Sequence, residues 1–112
     1  MLKKENRLTK KKDFERAYKE GRGIKKDSLF LKIIENDQPF TRIGIVISKK
    51  VSKKAVIRNK IKRRIREIVR KMNLIPGFDI VIVTFPQIKE KDFKQIEEEI
   101  NQLFIKAKCL NL

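Results

Sequence analysis

The sequence predicts an α+β fold, an α-β-β-(β)-α-β-α sandwich with helices packed on a small, mostly antiparallel sheet. Three observations carry this. Ile57, Ile61, Ile65, Ile68 and Met72 recur every three or four positions, the spacing of one helix face. Residues 79–85 (Asp-Ile-Val-Ile-Val-Thr-Phe) form an apolar, β-branched run of strand length. Phe93, Ile96, Ile100, Leu103, Phe104 and Ala107 make a second apolar stripe at helical spacing.

The elements follow in order. Residues 1–12 are a basic arm containing Asn6-Arg7-Leu8 and three consecutive lysines, open between a flexible tail and an RNA-touching one. A short helix runs to about Lys19, capped by Thr9 or Asp13 and stopped by Gly21 and Gly23. Phe14, Ala17 and Tyr18 share one of its faces. The two aromatics suit either core packing or a platform on which unpaired bases stack. A brief strand is allowed near 23–25. Residues 28–34 alternate Leu29, Leu31, Ile33 on one side against Phe30, Lys32, Ile34 on the other. After an Asn-Asp-Gln-Pro turn, residues 41–48 form another strand, and the two read as an antiparallel hairpin. Ser52 is placed to cap the long basic helix, which a Pro-Gly turn within 73–77 ends. The 79–85 run belongs inside the sheet, since both its faces are apolar. Asp92 caps the last helix, running to about Lys108.

The basic helix is the unusual element. Between Lys49 and Lys71 stand twelve Lys or Arg and a single acid, Glu67, giving eleven of the sixteen net positive charges. Beside the apolar stripe, Arg58, Asn59, Lys62, Arg63, Arg66 and Arg70 fill the next arc, preceded by Lys49, Lys50, Lys53 and Lys54. Like charges at i,i+4 repel by a few tenths of a kcal/mol per pair. A polyanion relieves that repulsion, and release of its counterions drives association.

Composition narrows the partner and the chemistry. One hundred and twelve residues fit one domain, 1–112. A pI near 10.2 points to nucleic acid before an anionic membrane, and the apolar runs are far too short to span one. Residues 1–12 are polar and basic, unlike a signal peptide. Cys109 is the one cysteine, which fits a cytoplasmic protein without a disulfide framework. With no histidine there is no imidazole base and no Ser-His-Asp triad, and no thiolate zinc site or glycine-rich phosphate loop can be assembled. Any bond-breaking in which the chain takes part belongs to another component.

Residues 55–67 (Ala-Val-Ile-Arg-Asn-Lys-Ile-Lys-Arg-Arg-Ile-Arg-Glu) resemble the Arg-Asn-Arg motif helix of the bacterial ribonuclease P protein family. Asn6-Arg7-Leu8 with Asp13-Phe14, the 44–51 stretch (Gly-Ile-Val-Ile-Ser-Lys-Lys-Val) and the 77–81 stretch (Gly-Phe-Asp-Ile-Val) are similar to further signatures of that family. The resemblance implies a ribonucleoprotein that removes the 5′ leader of precursor tRNA by hydrolysis. Its RNA carries the active site with Mg²⁺, bound chiefly by the RNA and substrate. It implies that Arg58, Asn59, Lys62, Arg63, Arg66 and Arg70, with Lys49, Lys50, Lys53 and Lys54, bind the catalytic RNA. It further implies that Phe14, Tyr18, Lys32 and Arg7 bind the leader, in a cleft between the first helix and the sheet. No catalytic residue, protein-held metal or obligate protein partner is implied. A left-handed β-α-β crossover at the basic helix is expected on the same ground. Lys32 departs from the aromatic that many relatives carry there, and Leu110 from a tyrosine. A structural RNA binder of ribosomal type shares the charge and size, and would have no effect on tRNA processing. A DNA reader would need spaced base-reading side chains instead of a nearly unbroken Lys/Arg row.

Overall fold

The structure, a computed structural model, describes residues 3–110; Met1 and Leu2 of the basic arm lie outside them. After a single 3-10 turn at Lys4–Asn6 come α1 (Lys11–Glu20), β1 (Arg22–Lys26), β2 (Leu29–Glu35), β3 (Arg42–Val46), α2 (Ala55–Arg70), β4 (Phe78–Thr84) and α3 (Phe93–Lys106), the predicted order with the optional strand present. The sheet runs β1-β2-β4-β3. β1 and β2 are antiparallel, as are β2 and β4, whereas β3 and β4 are parallel and joined through α2.

The expected hairpin between residues 28–34 and 41–48 does not form. β2 turns back on β1 instead, and β4 inserts between β2 and β3. The reason is burial. Residues 79–82 are all buried, so β4 takes the position covered on both faces. β1, with Arg22, Lys25 and Lys26 exposed, suits an edge that must resist further pairing. At the other edge Arg7 bridges Ile43, the Leu8 N–H donating to the Ile43 carbonyl at 2.9 Å.

Helices cover both faces. Leu29, Leu31, Ile33, Ile43, Ile45, Ile80 and Ile82 pack on Ile61, Ile65, Ile68 and Val69 of α2 and on Ile96, Ile100, Leu103 and Phe104 of α3. Ile57 and Met72 of the predicted α2 stripe are half-buried at its ends, and Phe93 of the α3 stripe is exposed in the first turn. On the opposite face Leu8, Ala17 and Val81 are buried, with Phe14, Ile34, Val46 and Val83 packed around them under α1.

The caps differ from expectation for two helices. Neither Thr9 nor Asp13 caps α1, whose first residue is preceded by Lys10 without a side-chain bond. Asp13 is drawn 3.4 Å from Arg42 instead. Ser52 does not cap α2; it stands two residues ahead of the N-cap position, and its hydroxyl accepts from the Lys54 N–H at 3.2 Å. Asp92 does cap α3, in a reciprocal box with Gln95. That helix ends at Lys106, two residues sooner than predicted. Lys108 has φ 60°, while the Cys109 N–H reaches the Phe104 carbonyl and the Lys108 N–H that of Ile105, a Schellman ending. Cys109 is fully buried in that turn.

Buried charges are paired. Asp79 accepts from Arg42 at 2.7 and 2.8 Å and from Asn36 at 2.8 Å. Glu99 accepts from the Ser28 backbone and hydroxyl and from Lys91 at 3.0 Å. Among the described residues no helix is long and apolar enough to cross a membrane.

Candidate nucleic-acid interface

With Ile61, Ile65, Ile68 and Val69 facing the core, helical geometry turns the basic row outward. Asn59, Arg63 and Arg70 are exposed, and Arg58, Lys62 and Arg66 half-buried. The side chains differ in what holds them. Arg58 donates to the Ser52 carbonyl at 2.8 Å, bracing the basic loop against the helix. In that loop Val51 is fully buried and pins the chain, so Lys49, Lys50, Lys53 and Lys54 project into solvent around it. Arg70 is paired with Glu67, which also draws Lys71 to 3.8 Å. The hydrogen bond from Arg70 holds the Glu67 carboxyl below its usual range. Lys62 is pulled the other way: burial, then the Arg66 charge, lowers its affinity for the proton. An anion placed beside Lys62 removes that penalty.

The face under α1 is the second part. Cross-strand pairing puts Gly23, Lys32, Val81 and Gly44 in one row and Lys25, Phe30, Val83 and Val46 in the next. The Phe14 ring lies on Gly44, where an added Cβ would come within 2.6 Å of it. The Phe30 ring similarly overlies Gly23 at 2.9 Å from such a Cβ. Tyr18, one turn beyond Phe14, is 41% exposed, and partial burial raises its hydroxyl's pKa. Lys32 donates to the Gly21 carbonyl at 3.2 Å, which ties it to the end of α1, and its ammonium lies 5.8 Å from the Phe30 ring. Lys25 stands 5.2 Å over the Phe85 ring. Lysines therefore alternate with aromatic rings across this open half of the sheet.

Some predicted residues come together and others do not. Arg7, Phe14, Lys62 and Arg66 line one cavity of about 280 Å³ at the β3 edge, where the α1 face meets the basic row. Lys32 and Tyr18 lie away from that cavity. Arg70 borders a different one, of about 600 Å³, beyond the C-terminal end of α2. Sequence reading passed over Lys25 and Phe85, although strand alternation carries Phe85 to the same side as Val81 and Val83. No group of three or more His, Cys, Asp or Glu among the described residues could hold a metal, and the row on α2 is cationic.

The arrangement can grip a polyanion along α2 and a flexible strand across the sheet. Comparison with known proteins identifies the family. The ribonuclease P family model matches residues 2–108. The ribonuclease P protein component of Pseudanabaena sp. (strain PCC 6903) is 37% identical over 114 residues, covering 99% of this chain and 98% of its own. That of Clostridium botulinum (strain 657 / Type Ba4) is 37% identical over 112 residues, covering 96% and 99%. The RNase P protein of Staphylococcus aureus superposes with a TM-score of 0.86 at 33% identity, over 95% of this chain and 98% of that one. The Thermotoga maritima RNase P protein gives 0.75 at 33%, over 87% and 94%. With the fold, the basic helix and the sequence match in agreement along nearly its whole length, the chain belongs to the ribonuclease P protein family.

Proposed function

We propose that this chain, the protein component of the ribonuclease P ribonucleoprotein, works as one RNA-binding domain with two adjoining surfaces. Arg58, Asn59, Lys62, Arg63, Arg66 and Arg70, with Lys49, Lys50, Lys53 and Lys54, hold the catalytic RNA. Phe14, Tyr18, Lys32 and Arg7 hold the 5′ leader of precursor tRNA on the sheet face. One observation carries this reading: Arg7, Phe14, Lys62 and Arg66 surround a single cavity, so the basic row and the aromatic face form one continuous surface. An RNA enzyme repels its RNA substrate, and a protein of net charge +16 between them offsets that repulsion. Stacking and phosphate contacts tolerate leaders of varied sequence. Mg²⁺, held by RNA and substrate phosphates, supplies charge stabilisation to the hydrolysis, and the protein contributes binding and positioning only. The reading places the chain in the cytoplasm.

The test is precursor-tRNA cleavage at low Mg²⁺ by a bacterial ribonuclease P RNA, with and without the protein. Protein-dependent cleavage at the mature 5′ end is expected. Tight RNA binding without stimulation would favour a purely structural binder of ribosomal type.

A further inference from the structure

The largest cavity described, about 600 Å³, lies outside the junction of the two surfaces above and meets the basic row at Arg70. It opens between the C-terminal turn of α2, the 39–41 loop and residues 3–6, with Phe40, Met72 and Asn6 in its walls and Lys3 and Arg70 among its cations. Glu5 is the one acid among its lining residues. Its position separates it from the leader face. Val69, which also lines it, belongs to the core on the α2 side of the sheet, opposite Phe14, and the cavity shares only Ile43 with the one around Phe14. Its walls are also braced. Asn36 donates to the Phe40 carbonyl at 3.3 Å, and Asn6 to that of Thr41 at 2.9 Å. The Thr41 hydroxyl donates to the Ile75 carbonyl at 2.6 Å, and the Asn36 N–H to that of Gly77 at 2.8 Å. The groove is therefore preformed, and the ordering cost of binding there is small.

Its chemistry is that of a nucleotide site. An aromatic ring and apolar walls accept a base, and Lys3 with Arg70, the latter positioned by Glu67, supply positive charge for a phosphate. The cations continue the basic row, since Arg70 follows Arg66 by one helical turn and Glu67 holds it in place. We propose that this groove receives one unpaired nucleotide of the RNA that covers α2, its base against Phe40 and its phosphate at Lys3 and Arg70. The proposal rests on the function proposed above and adds a fixed point to it: a base pulled out of the RNA sets the register of the protein along that RNA.

Binding of a bacterial ribonuclease P RNA to the wild-type protein, Phe40→Ala, Phe40→Tyr and Lys3→Gln tests it, with chemical probing of the RNA and precursors with and without a leader. Phe40→Ala should weaken RNA binding by about 5- to 150-fold, the worth of one base stacked on an aromatic. Phe40→Tyr keeps the ring and should bind as the wild type does. One nucleotide that the wild type protects should become reactive with Phe40→Ala. If Phe40→Ala proves unfolded, Lys3→Gln, at an exposed position, reads the same site. It should expose that nucleotide and flatten the salt dependence by about 0.7 log units. Unchanged protection and slope in a folded variant would overturn the proposal, as would a loss confined to leader-bearing precursor. Wild-type protein that binds no such RNA would overturn the proposed function itself.

Discussion

Lys62 shows how a single side chain can trade stability for binding. It is half-buried against Arg66, and burial lowers its pKa. The unfolded chain holds that proton more tightly than the folded one, so the charge opposes folding at neutral pH. The penalty fades as pH rises toward the ordinary lysine range, and stability rises with it. Lys62→Met should therefore raise the melting temperature of the isolated protein and weaken its RNA binding. A lowered melting temperature would mean that the ammonium makes a stabilising contact. Arg42 is the converse case, a cation whose work is internal. It pairs with buried Asp79, and the hydrogen bonds it donates to that carboxylate raise its pKa. Arg42→Met strands Asp79 and should cost about 3 kcal/mol or more in urea unfolding, with the RNA-binding salt slope of whatever remains folded unchanged.

At the scale of elements, endings and close approaches set the shape of the site. Lys108 adopts φ 60° at the end of α3, a conformation that strains an L side chain by about 1–2 kcal/mol. Lys108→Gly should relieve part of this and raise the unfolding midpoint, unless its charge contributes more than its backbone costs. Gly44 lets the Phe14 ring settle on β3. Gly44→Ala should push that ring aside and weaken binding of leader-bearing precursor while leaving affinity for mature tRNA unchanged. The same elements show how far sequence reaches. The α2 stripe at Ile61, Ile65 and Ile68, the Asp92 cap and the interior position of residues 79–85 were legible, because each follows from local period or a local bond. The false hairpin had the same local support: two apolar strands and a turn between them. What defeats it is β4, more than thirty residues further along, whose two apolar faces claim the place between β2 and β3. Ser52 failed as a cap for a smaller reason: the helix starts two residues later than its hydroxyl could serve. Lys25 and Phe85 pair across strands distant in sequence, so composition gave no sign of them. That Arg7 and Lys62 would border one cavity depends on the Arg7–Ile43 bridge, which no local pattern announces.

Across the whole molecule the charges divide by helix. The basic row and loop lie on α2, whereas α3, carrying Glu97 and Glu98, closes the core with near-neutral charge. Sheet order carries a further consequence, for the chain's synthesis. β4 is the strand that both β2 and β3 need, and it is made after α2. A nascent chain extending only to residue 77 has its full basic helix but no centre to its sheet. Neither face of the core can then close, since Ile80 and Ile82 serve one and Val81 the other. A fragment of residues 1–77 should give no cooperative thermal transition, while the full chain gives one; a folded fragment would show that β2 and β3 can pair without β4. Through the interval before β4 emerges from the ribosome, a dense run of cations is thus exposed among ribosomal RNA without a folded frame.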